Sequence, residues 1–295
     1  MSWILFSILS AFVWAVSSVL DKYVFTKPVY PWAPVVLTAT IGLFLSTAIF
    51  VVNGVEPLSL NDLAWVIASS FLLIAGNVFY FKAIRVDEIS RIAALYYVSP
   101  LFIAVLSALF LGEVLNLPQY LGVVLTIAGA LLVSRMRGPV FSLGPGVGLR
   151  IVSVLAFSGV SVITKHLTNV LDYWSVFSYM QAGFFLTLLP VIAWKREKLA
   201  LTFKEHEKEI GLLAFSEFLV LAGSFFSIMA ISLESVTLVR ALQSISPFFV
   251  LLIVALVHVF KPNLLRELTD RHSLMWKVIA LAVMLVGAVL VSGYV

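Results

Sequence analysis

The chain has 295 residues, 62% hydrophobic and 12% charged, with a mean hydropathy of +1.10. Soluble domains are about 45–50% apolar and about 25% charged, so no water-facing surface can be made from this composition, and the chain reads as an all-α polytopic membrane protein. The absence of Cys excludes disulfides, thiol nucleophiles and thiolate metal sites, and the net charge of +4 is expected to orient the chain in a bilayer, with no nucleic-acid partner.

A spanning helix needs about 20 mostly apolar residues, and ten segments meet that condition. The first, Trp3–Leu20, carries Ser10, Trp14 and Ser17, with Asp21 just beyond it; no cleavage site follows, so it is read as a span and not a signal peptide. The second is Ala33–Val52. The third, Leu63–Ile84, bears Ser70, Asn77 and Tyr80, and the fourth, Ile89–Leu111, presents Tyr96, Tyr97 and Pro100. Pro118–Ser134 completes a first unit. The sixth span, Leu149–Lys165, adds Ser158, Ser161 and Lys165; the seventh is Tyr173–Trp194, followed by a hydrophilic stretch, Lys195–Glu209, expected to be a solvated cytoplasmic loop. The eighth, Ile210–Ile231, places Glu217, Ser224 and Ser227 within an arc of roughly 80°. The ninth, Val236–Val257, aligns Arg240, Gln243, Ser244 and Pro247 on one face, and Trp276–Gly293 closes the series.

The spans repeat. Displacing the sequence by 147 residues superposes Ala75–Phe102 on Ala222–Phe249 without a gap and with ten identities in 28 positions, including Ala75-Gly76 on Ala222-Gly223 and Ser99-Pro100 on Ser246-Pro247. Further on, Gly129–Ser134 matches Gly287–Ser292 at five of six positions. Two five-helix repeats, residues 1–137 and 138–295, are therefore expected; five being odd, the copies run oppositely through the membrane as an inverted repeat. Of the 19 Lys and Arg, 17 fall in or beside the connections after the odd-numbered spans, leaving only Lys165 and Arg240 on the other side. The positive-inside rule then puts both termini outside the cytoplasm of a cell (plasma or inner) membrane.

No H-E-x-x-H, G-x-S-x-G or Walker lysine loop is present, and His166, His206, His258 and His272 lack metal spacing, so neither catalysis nor a metal nor another cofactor is expected. The information lies in polar residues inside apolar helices, which are costly and mark a cavity or a partner. Glu217, Arg240, Gln243, Ser224, Asn77, Tyr80, Tyr96, Trp14 and Ser161 are the candidate lining of a central substrate cavity, with Pro100 and Pro247 as hinges or kinks inside their helices, although packing and architectural kinking are the plainer alternatives. Arg240 calls for a substrate anion, a snorkelling path or a carboxylate such as Glu234. Glu217, roughly 10 Å deep, must be paired or hydrated when charged; it suits a substrate ammonium or a coupling proton, or else a structural hydrogen bond as a neutral acid. A direct Arg240–Glu217 pair is not expected, the two lying about 13 Å apart along the membrane normal.

The five-plus-five helix plan, Ser99-Pro100-Leu101-Phe102 through Leu111-Gly112-Glu113, the segment Gln119–Gly122 and Gly129-Ala130 resemble the drug/metabolite transporter superfamily, specifically EamA-type transporters. The resemblance covers the whole chain and implies a secondary transporter, often an exporter of amino acids or related metabolites, with a cavity between its halves. Departures are Trp14-Ala15 where the family often has Trp-Gly, and Val259-Phe260 where the second repeat aligns with Gly112-Glu113. The first span also lacks the embedded Glu of the small multidrug members, which counts against drug/proton antiport. A metabolite transporter, monomeric or homodimeric, is the leading reading; a non-transporting membrane scaffold and an embedded enzyme are the rivals, and repeated polar stripes without catalytic equipment favour the first.

Overall fold

The structure is a computed structural model of the chain and describes residues 2–24, 27–87, 92, 95–135, 144–260 and 271–293. The described residues are helical, in the order α1 (Ser2–Val24), α2 (Ala33–Asn53), α3 (Leu60–Val86), a short 3-10 helix (Leu95–Val98), α4 (Ser99–Leu111), α5 (Leu117–Arg135), α6 (Val147–Thr168), α7 (Tyr173–Glu205), α8 (Glu207–Leu233), α9 (Val236–Gln243), α10 (Ser246–Phe260) and α11 (Arg271–Ser292). Seven stretches among them are long and apolar enough to cross a membrane, one of them running through α9 and α10 as Val236–Leu256; three shorter apolar helices are Leu95–Leu111, Leu117–Leu132 and Ile279–Ser292. The expected boundary at residue 137 lies outside the described residues.

Helix ends follow local chemistry. Ser59 caps α3 by accepting from Asp62 N, and Asp172 caps α7 by accepting from Trp174 N and Ser175 N. At the start of α5, Asn116 and Gln119 exchange bonds between backbone N–H and side-chain carbonyl (3.0 and 2.9 Å) in a reciprocal box. Gly112, at φ 67°, ends α4 in the left-handed region, where a side chain would be strained.

One expectation needs correcting. Lys195–Glu209 is not a loop: α7 runs on to Glu205 and breaks only at His206. Its Lys, Glu, Leu and Ala residues are strong helix formers, and Leu199 is buried against Trp32 and Val35 of the α2 region, so a hydrophilic outer face and an apolar inner face coexist. Pro100 and Pro247 each sit in the first turn of a helix, α4 and α10: α4 follows directly on the 3-10 helix Leu95–Val98, and α10 follows the turn at Ser244 and Ile245. A missing N–H costs nothing there, and the fixed φ suits a helix start.

The helices pair in four principal contacts: α1 on α8, α3 on α6, α2 on α7, and α5 on α11. Large apolar side chains such as Phe44, Leu109 and Phe110 are about 70% exposed, which in a multi-pass protein is the lipid-facing surface. At the α5–α11 crossing the backbones touch. A Cβ on Gly287 would lie 2.6 Å from Thr126 N and 2.9 Å from Gly122 O, and one on Gly122 would lie 2.8 Å from Gly287 O. Backbone cannot retreat as a side chain can, so Gly287→Leu is expected to lower stability by about 1–3 kcal/mol. Thermal unfolding of the detergent-solubilised protein should show this, while Gly148→Ala, with nothing within 4 Å of the added carbon, leaves the midpoint unchanged or raises it.

Candidate functional site

A cavity of about 450 Å³ lies among α1, α3, α4, α6, α7, α8, α9 and α10. Trp14 and Ser18 come from α1, Tyr96 and Tyr97 from the 3-10 turn before α4, Ser99 from the start of α4, Phe157, Ser161 and Thr164 from α6, Gln181 from α7, Ser224 and Ser227 from α8, Arg240 and Gln243 from α9, Ser244 from the turn that follows it, and Ser246 from the start of α10. Of the residues anticipated from sequence, Trp14, Tyr96, Ser161, Ser224, Arg240 and Gln243 border this space; Glu217, Asn77 and Tyr80 do not. Among the described residues no three His, Asp or Glu converge as metal ligands.

Arg240 is held from one side only. Its Nη1 donates to Gln243 Oε1 (3.1 Å), and Gln243 Nε2 donates in turn to Ser10 Oγ of α1 (3.2 Å). The guanidinium carbon stands 5.6 Å from the Trp14 ring, within reach of its π face. Nε is buried with no acceptor. Glu234 does not pair with it: that carboxylate accepts from Ser235 N, its own neighbour, at 2.9 Å. Trp14 is fixed by its Nε1–H, which donates to Val220 O (3.1 Å), and by Gly223, where a Cβ would fall 2.6 Å from the ring. The equivalent glycine of the first half, Gly76, lies as closely under Phe157, at 2.8 Å.

Most hydroxyls on the wall are turned back on their own helices. Ser161 donates to Phe157 O (3.2 Å), Thr164 to Val160 O (2.8 Å) and Ser224 to Val220 O (2.8 Å), leaving lone pairs toward the cavity. Ser227 Oγ is buried and unpartnered.

Glu217 lies apart, on the face of α8 toward α2, and is buried; its Oε2 is 2.5 Å from Thr38 Oγ1, which is also 2.9 Å from Pro34 O. Its neighbour Ser216 donates to Asp21 Oδ1 (2.7 Å) and shares a bond with Ser17 Oγ (2.8 Å). Asn77 donates to Leu73 O (2.8 Å), and Tyr80 lies against Arg150, whose guanidinium carbon is 4.7 Å from its ring. Pro100 and Pro247 are buried beside the cavity residues Ser99 and Ser246.

Two cations, Arg150 buried and Lys165 half-buried, have structural roles that the sequence does not show. Arg150, counted in the sequence as a helix-end charge, donates to Ile92 O (2.9 Å) and Ser153 Oγ (3.1 Å) and stacks on Tyr80 and Tyr96. Lys165 donates to Ile231 O (2.9 Å) and Glu234 O (3.0 Å) at the end of α8 and lies 4.0 Å from Glu113 Oε1, whose second oxygen accepts from Ser235 Oγ (2.9 Å). His166 is not a free surface residue either: its Nε2 is buried and its ring is 5.3 Å from Trp65.

Comparison with known proteins follows the same lines. Residues 1–135 match the EamA-like transporter family. An uncharacterised transporter of a Sinorhizobium species, encoded in the cobO 3′ region, is 31% identical over 137 residues, 45% of this chain and 96% of its own. The pseudopaline exporter CntI of Pseudomonas aeruginosa is 27% identical over 250 residues, 84% of each chain. A solved crystal structure of a protein covers 99% of this chain and 97% of its own at a TM-score of 0.72; at 19% identity that likeness shows the fold alone. The chain belongs to the EamA-like transporters of the drug/metabolite transporter superfamily and is a multi-pass membrane protein.

Proposed function

We propose that the protein is a secondary transporter of a small polar or amphipathic metabolite, an amino acid or related compound in the direction of export, working by alternating access of two inverted five-helix halves. The observation that carries this reading is a cavity bordered by polar side chains from both halves, with the 3-10 turn before α4 and the turn between α9 and α10 both on its wall. A scaffold needs no such interior. The relative named as a pseudopaline exporter supports the export direction.

Several features support the repeat. Exchanging the halves turns the α1–α8 pair into α6–α3 and leaves α2–α7 and α5–α11 in place, so the packing scheme is symmetric. Gly223 under Trp14 corresponds to Gly76 under Phe157; Gly287 against Gly122 corresponds to Gly129 against Ala280. The Sinorhizobium relative, almost wholly covered by 45% of this chain, argues that one unit can stand as a protein.

The decisive experiment compares metabolites released by cells with and without the protein. A reproducible difference in one chemical class supports transport, and identical profiles under varied nutrient supply sink it. The charge distribution further predicts both termini outside the cytoplasm: a carboxy-terminal fusion to a reporter that folds only in the cytoplasm should be dark, and a bright one would reverse the orientation.

Glu217 is the candidate for a coupling proton. The Thr38 hydroxyl owns one hydrogen yet lies within bonding distance of both Pro34 O and Glu217 Oε2. Both contacts are hydrogen bonds at once only when Glu217 supplies the second proton. Glu217→Gln, which keeps a donor but cannot release it, is expected to leave the protein folded and inserted while altering the rate or pH profile of transport. An unchanged rate and profile would leave Glu217 a structural role alone.

A further inference from the structure

We infer that the central cavity selects a small organic anion: a carboxylate carried on an apolar or aromatic body, with neutral N–H or O–H donors and no ammonium group. The inference rests on the transporter reading and narrows its substrate class from amino acids and related compounds to those whose amine is absent or acylated.

Arg240 is the one charged residue among the described residues that line the cavity. A guanidinium presents a fixed fork of five N–H donors, suited to two parallel bonds to a carboxylate. Here one nitrogen is committed to Gln243 Oε1, the cation is within reach of Trp14, and Nε is buried without an acceptor. No described carboxylate pairs with it, in contrast to Lys165, whose ammonium has two carbonyls and Glu113. An unanswered guanidinium inside a membrane protein is costly, and a substrate anion would supply the missing charge.

The rest of the wall discriminates further. With no carboxylate among the described lining residues, a substrate ammonium would meet ring faces, hydroxyls and amides but no opposite charge. Ser246 stands in the first turn of α10, after the turn at Ser244 and Ile245, where the partial positive charge of the helix start adds to that of Arg240. Hydroxyls of Ser161 and Ser224 donate to their own helices, so what they offer is acceptors for neutral substrate donors. Tyr96 and Phe157, 6.4 Å apart edge to face, give an aromatic wall for an apolar body. A volume of about 450 Å³ suits a ligand of metabolite size.

Three probes share one ring and differ in charge: N-acetylphenylalanine is an anion with an amide donor, phenylalanine a zwitterion, and phenylalanine amide a cation. Their binding to the purified full-length protein in detergent is read from tryptophan fluorescence quenching and thermal shift. The anion is expected to bind about tenfold or more tighter than the cation, the scale of one charge-assisted hydrogen bond. Arg240→Gln should abolish that preference, and Arg240→Lys should keep part of it, since charge survives and the fork does not. Should Arg240→Gln fail to fold, the wild-type ranking and Arg240→Lys decide. Equal or tighter binding of the cation, no binding of the anion at millimolar concentration, or a preference unchanged by substitution would overturn the inference. Arg240-dependent anion binding without exchange across reconstituted vesicles would instead defeat the transporter reading alone. Exchange of cations but not anions would defeat only the anion class.

Discussion

Within hydrocarbon there is no water to take up an unpaired N–H or C=O, and that constraint governs where this backbone can deviate from helix. The lipid-facing helices run unbroken over about 20 residues or more, or end in caps such as Ser59 and Gly112. The 3-10 turn before Ser99 and the turn between Gln243 and Ser246 both abut the cavity. At the second, the freed groups are answered locally. Ser244 N and Oγ both reach Arg240 O (3.1 Å), Ile245 N reaches Leu242 O (3.2 Å), and Phe248 N reaches Ile245 O (2.9 Å). Pro100 and Pro247 follow, each removing a donor that would otherwise need a partner. A cavity and a broken helix thus require one another: the break is tolerable only beside protein or water, and it brings serines and helix starts to the wall.

The same scarcity of water ranks the interior charges. Leaving one member of a buried pair unanswered costs about 3–5 kcal/mol, so the completeness of each charge's surroundings is informative. Arg150 bonds to a carbonyl and a hydroxyl and stacks on two tyrosines, and in doing so rivets α6 to the end of α3 and to Tyr96. Lys165 closes the carbonyl end of α8 while facing Glu113 of the first half. These are structural charges with their partners in place. Arg240 is answered by an amide and a ring, and Glu217 and Asp21 by hydroxyls of Thr38 and Ser216. Incomplete or exchangeable surroundings are what separate the latter group.

Much of this was legible in the sequence because spanning helices have to be apolar and because the recurring Ala-Gly and Ser-Pro pairs mark particular positions. The repeated Ala-Gly pair acquires a physical reason: Gly76 and Gly223 are where Phe157 and Trp14 lie directly on a helix backbone. What periodicity cannot provide is the neighbour. Glu217 and Ser224 share one arc of α8, yet the arc is divided between α2 and the cavity, so only Ser224 borders the cavity. Span ends were equally hidden. Arg150 looked like a flanking charge because the sequence does not show that α6 begins at Val147 and tucks its first turn beneath Ile92. Lys195–Glu209 looked like a loop because hydropathy reports what a face touches and says little about whether a chain is helical there.

The pairing of helices also limits which bodies can move. Trp14 and Ser17 tie α1 to α8 through Val220 O and Ser216, and Ser153 ties α6 to α3 through Gly76 O (2.8 Å). Each pair joins a helix of one sequence half to a helix of the other, with a ring seated on a glycine at its centre. Separating either pair would expose that ring and break those bonds together, whereas shifting one whole pair past the other leaves both contacts intact. The cavity is bordered by α1 and α8 on the one hand and α3 and α6 on the other. In the proposed alternating access, the contacts within each crossed pair would persist while one pair shifts past the other. The 3-10 turn before α4 packs on α6, and α9 packs on α1, α6 and α8, so both border the surfaces along which the pairs would shift.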